Sequence, residues 1–178
     1  MDRPVYRSPL AAKTSGGVLD MREITDFSLV NLRGQGDEFK RAAAKVLGAK
    51  LPAANTAVSA GDGRTIFWLG PDEWLVRDMR ESAPKELFDL SKTMHAAAVE
   101  VSDYYALIRF GGESARHALA DGCPLDLETF SAGQCAQSRL GVAAILLHQT
   151  DESPTYEAQV RWSFADYVWE YLRTAAGE

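Results

Sequence analysis

The sequence is short of the residues that most often announce chemistry. Its 178 residues include two cysteines and three histidines, and acids outnumber bases, giving a net charge of -6 and a pI near 5.1. Cys123 and Cys135 are too few for a structural zinc site, and in a reducing compartment they are not expected to pair. Cys123 follows a helix instead of opening one, so the helix dipole there does not favour a thiolate. Both cysteines read as ordinary, partly buried residues. His95, His117 and His148 lie far apart, without His-x-x-x-His or His-x-Glu spacing, and are expected at the surface or at helix ends. An acidic chain has no field to gather phosphate backbones, which excludes nucleic acid as a partner. No apolar run approaches the roughly 20 residues that cross a bilayer, and the opening MDRPVYRSPLAAKTSGG has no signal-peptide core. A cytoplasmic chain without membrane contact is expected. There is no Gly-Lys-Ser/Thr phosphate loop and no Gly-x-Ser-x-Gly elbow, and Gly34-Gln35-Gly36 lacks the third glycine of a dinucleotide fingerprint.

What is present is a core: hydrophobic residues make up 46% of the chain, enough for one compact domain at this length. Residues 1–17, with Pro4, Pro9, Gly16 and Gly17, show no periodicity and read as an N-terminal tail. From Ser28 an apolar strand leads through a glycine-rich turn into a helix with Phe39, Ala43, Val46 and Leu47 on one face and Gly48 at its end. TAVSA and RTIFWLG read as strands joined by GDG. Ser82 and Pro84 then open a helix whose Leu87, Leu90, Met94 and Ala98 share a face.

The second part of the chain repeats this order. Val99–Phe110 reads as a strand, GGES opens a short helix with Ala115, Ala118 and Leu119, and Gly122 with Pro124 stops it. GQCAQSRLGVAAILLHQT and TYEAQVRW form a hairpin or meander, and Ser163 with Asp166 makes a capping-box-like start to a last helix through Leu172. Laying GPDEWLV over SFADYVW sets Trp74 against Tyr167 and Leu75 against Val168, an offset of roughly 90 residues. The expected fold is α+β: residues 18–178 form one domain of two ferredoxin-like βαββαβ halves, about 18–98 and 99–178, whose antiparallel sheets cover one another. In FWLGPDEWLV, Phe67 and Leu69 share a strand face, Gly70-Pro71 turns the chain, and Trp74 plugs a joint. Asp72 and Glu73 as a catalytic carboxylate pair is the sharper reading. It is set aside because adjacent turn acids point apart and are commonly solvated.

A family likeness carries more than spacing does. The run VSDYYALIRFGGESARHALADGCPLDLETFSAGQCAQSRLGVAAILLHQT, followed by QVRWSFADYVWEYL and preceded by WLGPDEWLV, resembles the gamma subunit of heterotetrameric sarcosine oxidase. The likeness extends from about Ser28 to Leu172, and its most specific part is Gly122-Cys123-Pro124-Leu125-Asp126-Leu127 with Phe130 and Gly133. That family is similar in turn to the folate-binding domain of the glycine-cleavage aminomethyltransferase. The shared outline is Ser102, the Gly112-Glu113-Ser114-Ala115 turn, Gly133 and Leu140-Gly141. In those transferases acids that serve the folate chemistry follow shortly after such a glycine step, whereas this sequence reads Val142-Ala143-Ala144-Ile145-Leu146-Leu147. Alanine, isoleucine and leucine offer no proton to a folate nitrogen, so the resemblance implies the scaffold without the chemistry.

The implied function is a non-catalytic subunit of a complex that demethylates sarcosine oxidatively to glycine with release of peroxide. The resemblance implies no cofactor in this chain, with flavins, NAD, zinc and tetrahydrofolate on the partner subunits. Its expected partners are the other subunits, chiefly the large folate-handling one, and self-association of the isolated chain is an open alternative. Tyr104, Tyr105, Trp162 and Trp169 are candidate interface anchors, because Trp and Tyr are enriched where partners bury them. Core packing is the competing role for each. A stand-alone folate-binding, aminomethyltransferase-like enzyme is the alternative; it needs an acid from elsewhere, Asp103 or Asp126. A ferredoxin-like RNA module is disfavoured by the negative charge and the missing aromatic-glycine RNA motif.

Overall fold

The computed structural model describes residues 8–11, 13, 17–61, 63–79 and 85–178. Strand β1 (Asp20–Ile24) leads through Asp26, which holds φ 59°, into β2 (Ser28–Gly34). Helix α1 (Gly36–Leu47) buries Phe39, Ala43 and Leu47, one residue per turn along a single face, and Gly48 ends it in the left-handed conformation at φ 72°. Strands β3 (Ala57–Ala60), β4 (Arg64–Gly70) and β5 (Glu73–Asp78) form a meander, and α2 (Lys85–Thr93) returns the chain to β6 (Ala96–Glu100). A 3-10 turn at Ser102–Tyr104 leads to β7 (Tyr105–Gly111), α3 (Ala115–Ala120), β8 (Cys135–Leu140), β9 (Ala143–Asp151) and β10 (Thr155–Arg161). A second 3-10 turn, Trp162–Phe164, precedes α4 (Ala165–Ala175).

The strands form two antiparallel five-stranded sheets, ordered β3-β4-β5-β2-β6 and β8-β9-β10-β7-β1. The orders correspond position by position, with β1 in the second sheet where β6 stands in the first. The fold is thus the expected α+β pair of antiparallel halves, with one more strand in each meander than βαββαβ allows. β5 is a strand of its own, and GQCAQSRLGVAAILLHQT divides at Gly141 into β8 and β9. The expected boundary after residue 98 falls inside β6, and β1, from the front of the first half, pairs with β7 of the second.

Each strand divides its side chains between two layers, because alternate residues face opposite sides. Val30, Leu32, Ile66, Trp74 and Val76 meet Phe39, Ala43, Leu87 and Leu90 of α1 and α2. Ile108, Phe110, Tyr156, Ala158 and Val160 meet Ala115, Ala118, Leu119, Val168, Trp169 and Leu172 of α3 and α4. Between the sheets lies a smaller apolar group of Leu29, Phe67, Leu75, Cys135 and Leu146. Gly34 is fixed by the first of these layers: a Cβ there would stand 2.5 Å from the Phe39 ring, which itself packs 5.9 Å from the Trp74 ring. Trp74 therefore does plug a joint, between β5 and α1.

Other local readings shift for identifiable reasons. Val99–Phe110 is not one strand, because the chain leaves the first sheet at Glu100 and enters the second at Tyr105. Met94 and Ala98 lie beyond α2. Ala98 pairs with Leu32 in β6, so sheet pairing overrides the helical spacing of an alanine-rich run. The N-cap of α4 is Phe164 with no side-chain bond, so Ser163 and Asp166 make no capping box. Trp74 on β5 and Tyr167 on α4 are not structural equivalents; sheet order matches β5 with β10. Ser82 and Pro84 lie outside the described residues, as does most of the 1–17 tail. Within the tail, Leu10 is buried in the second half's core, and Lys13 bridges Asp166 at 2.8 Å and Glu170 at 2.5 Å.

Candidate functional site

The crossover between the sheets builds an exposed aromatic corner. Val101 donates its backbone N–H to the Leu29 carbonyl at 2.8 Å, extending the β2–β6 ladder by one step. There Ser102 takes over: its Oγ accepts the Leu29 N–H at 3.0 Å and donates to Glu100 at 3.1 Å. This pins the 3-10 turn and holds Tyr104 out, 46% exposed. The Tyr104 and Tyr105 rings meet edge to face at 5.0 Å, and the Arg161 guanidinium lies 5.0 Å from the Tyr104 ring centre. Arg161 stands opposite Tyr105 across β10 and β7, and Trp162 follows it directly. Burial pushes the Tyr105 hydroxyl above the usual phenol range, and neighbouring Tyr104 adds to the effect.

Three concavities converge on this corner, and Asp103 lines all of them. The first, of about 590 Å³, runs from Asn31 and Val99 to Tyr105 and contains Glu100 and Asp103 but, among the described residues, no Lys or Arg. The second is bounded by Phe27, Tyr105 and Trp162, the third by Tyr104, Arg161 and Trp162. Tyr104, Tyr105 and Trp162 thus come together on one face. Trp169 does not join them: it is 1% exposed inside the α4 core and offers no surface to a partner.

The remaining candidates are spread out. Asp103 is at the corner, while Asp126 is an exposed turn residue accepting the Glu128 N–H at 3.1 Å. Asp72 is bound by Arg33 at 3.2 Å and Glu73 by Asn31 at 2.7 Å, which ties the β4–β5 turn to β2. Ile145 and Leu146 are buried on β9, in the second half's core and the inter-sheet layer respectively. Cys123 and Cys135 are both buried free thiols; burial pushes Cys135 up to about 11, against a weak bond to the Trp68 carbonyl.

Sequence reasoning missed one polar centre altogether. His95 and His117 are exposed as expected, but His148 is 8% exposed in the layer between the sheets. Its Nδ1 lies 3.4 Å from Glu157, which also pairs with Arg77 at 2.8 Å and lies 3.8 Å from Arg109. Phe67 packs edge-on to His148 at 5.2 Å, with Arg77 over its face at the same distance. Burial alone would raise the Glu157 pKa; the His148 hydrogen bond and the Arg77 charge outweigh it and hold the carboxyl down to about 2. Arg77 comes from the first half and Glu157 from the second, so their pairing joins the two sheets. The only hint in the sequence was alternating polarity in TYEAQVRW, which equally describes a strand facing water.

The sequence matches the sarcosine oxidase, gamma subunit family over residues 33–178. The gamma subunit of sarcosine oxidase from Corynebacterium sp. (strain U-96) is 30% identical over 177 residues, covering 94% of this chain and 84% of that one. Its counterpart from Arthrobacter sp. is 26% identical over 152 residues, covering 83% and 75%. Among solved structures, a chain of the heterotetrameric sarcosine oxidase from Corynebacterium sp. U-96, in complex with pyrrole 2-carboxylate, superposes with a TM-score of 0.86 at 25% identity. That match covers 96% of this chain and 94% of the other. Aminomethyltransferase T of the glycine cleavage system from Bartonella henselae shares the fold, with a TM-score of 0.64 at 15% identity over 86% of this chain and 45% of that one.

Proposed function

The chain belongs to the sarcosine oxidase gamma subunit family, and from that membership we propose that it serves as a non-catalytic subunit of a sarcosine oxidase complex. The observation that carries this reading is its near end-to-end correspondence with one chain of a heterotetrameric sarcosine oxidase. The match leaves little of either chain unaccounted for, as expected of the same building block. In this reading residues 18–178 act as one domain in the cytoplasm, and its principal partner is the large folate-handling subunit. The flavins, NAD, zinc and tetrahydrofolate of the assembly are held by other subunits. The corner of Tyr104, Tyr105 and Trp162 is the contact face, since it presents aromatic area beside open concavities. The buried apolar run Ile145-Leu146-Leu147 supports a role without proton chemistry on folate.

The test is to tag the chain in the cells that encode it, purify it gently, weigh the co-purifying subunits, and assay for flavin absorbance and sarcosine-dependent peroxide. A stoichiometric flavoprotein complex is expected, with the isolated chain colourless and inactive. A chain that elutes alone and binds reduced folate tightly would overturn the reading.

A further inference from the structure

The two sheets present four edge strands, and three of them are closed or blunted. The edges of β3 and β8 meet each other: Thr56 bridges Gln134, the Ala57 N–H reaches the Gly133 carbonyl at 2.8 Å, and the Cys135 N–H reaches the Asn55 carbonyl at 3.0 Å. The edge strand β1 carries Asp20, Arg22 and Glu23, and the chain's own N-terminal segment lies against it, with Ser8 bonded to Glu23 and Leu10 in the core beneath. Charges and covering segments are the usual ways in which an edge is protected from pairing.

Strand β6 has neither device among the described residues. It reads Ala96-Ala97-Ala98-Val99-Glu100, with a charge only at its last position, and Ala97, Val99 and Glu100 are exposed. One side pairs with β2 in the register Ala97↔Arg33 and Val99↔Asn31. Because Val101 bonds the Leu29 carbonyl, the alternation of an antiparallel ladder turns Val99 and Ala97 toward β2. The backbone N–H and C=O groups of Ala98 and Glu100 then face outward. By the symmetry of the two sheets β6 occupies the place of β1, yet among the described residues no segment flanks it as one flanks β1.

We infer that β6 receives an extended strand from another subunit of the complex, one carrying Lys or Arg side chains. This rests on the reading of the chain as a subunit and specifies how it docks. An added strand would bond the outward groups of Ala98 and Glu100, and its side chains would reach the neighbouring concavity, lined by Glu100, Asp103, Tyr104 and Val99. Those acids, on a chain of net charge -6, favour a basic segment over a second, equally acidic copy of this chain.

The test compares the free chain with the assembled complex by amide exchange, and the wild type with Ala98→Pro and with the pair Glu100→Lys and Asp103→Lys. Proline at 98 removes an outward N–H and leaves the ladder to β2 intact. The Ala98 and Glu100 amides are expected to exchange freely in the isolated chain and to be protected in the complex. Ala98→Pro is expected to keep the chain's circular dichroism while weakening assembly about tenfold, the scale of one or two lost backbone hydrogen bonds. The charge reversals are expected to weaken assembly further at low salt than at high salt. Should Ala98→Pro not fold, exchange in the wild-type complex decides alone. A complex that forms with β6 still freely exchanging overturns strand addition and leaves the subunit reading standing. Failure of any complex to form overturns both. A dimer of the isolated chain that protects β6 assigns the edge to a second copy and overturns the basic partner.

Discussion

The first sheet is closed by β6, which arrives directly after α2, whereas the second is closed by β1, which comes from before the first sheet along the chain. All of the first sheet therefore lies between Ser28 and Glu100. The second cannot be completed until Asp20 finds Gly111 and Ile24 finds Leu107. Long-range closure of that kind costs chain entropy before its contacts form. The return is a β1 strand that ties the second half to the front of the chain and, with Leu10, Leu19 and Met21, adds to its core. The strand that closes the first half brings little to its core, and its edge is uncovered among the described residues.

Removing residues 1–24 breaks this comparison most sharply. Leu10, Leu19 and Met21 are all buried, and losing three such side chains costs about 5–9 kcal/mol, comparable with the whole stability of a domain. Amides of Leu107–Phe110 are expected to lose exchange protection in the truncated chain before those of Leu29–Leu32 do. Equal loss in both would show that the halves have no separate stability.

The joint between the halves is next. Glu157→Ala leaves Arg77 buried without its partner and is expected to cost about 3–5 kcal/mol in urea unfolding. The same carboxyl predicts acid sensitivity. Its folded pKa of about 2 lies below the ordinary 4.5, so its stabilisation is fully present above about pH 4.5 and is lost as pH falls toward 2. A pKa difference of this size corresponds to about 3 kcal/mol. The acid transition of Glu157→Gln should therefore be flatter than that of the wild type over that window.

Tyr104→Ala sharpens the contrast between the exposed corner and the buried joint. Stability is expected to change by less than about 1 kcal/mol at this exposed position, while affinity for the partner subunits falls about tenfold or more, as a central aromatic anchor should. Unchanged affinity would move the contact face elsewhere. The smallest effect is chemical. With the Cys135 thiol raised to about 11 by burial, alkylation of the folded chain at pH 8 should be far slower than in urea. Fast labelling in the native state would mean that the inter-sheet layer opens.

Much of the fold could be read along the chain. The Phe39, Ala43 and Leu47 stripe, the Gly48 stop and the strand after GDG follow from rules that act over a few residues. The aromatic corner was half legible. Tyr104, Tyr105 and Trp162 were marked by residue type, but Trp169 carries the same mark and lies in the core, because a helix has an inner and an outer face and type alone does not tell which. Glu157, His148 and Arg77 were not legible at all. Glu157 stands on a strand whose alternating polarity predicts water, Arg77 and His148 directly follow the apolar runs Trp74-Leu75-Val76 and Ile145-Leu146-Leu147, and only the opposing sheet makes all three positions interior.

The sequence by itself determined the α+β class, the doubled order of elements and the family, because periodicity, turn residues and a stretch such as Gly-Cys-Pro-Leu-Asp-Leu are local properties. Tertiary structure decided which strand closes which sheet, that Arg77 and Glu157 meet between the halves, and that no described residue covers the edge of β6. These outcomes depend on pairings between residues distant along the chain, where one more strand or a shift of register sends the same side chain to water or to the core.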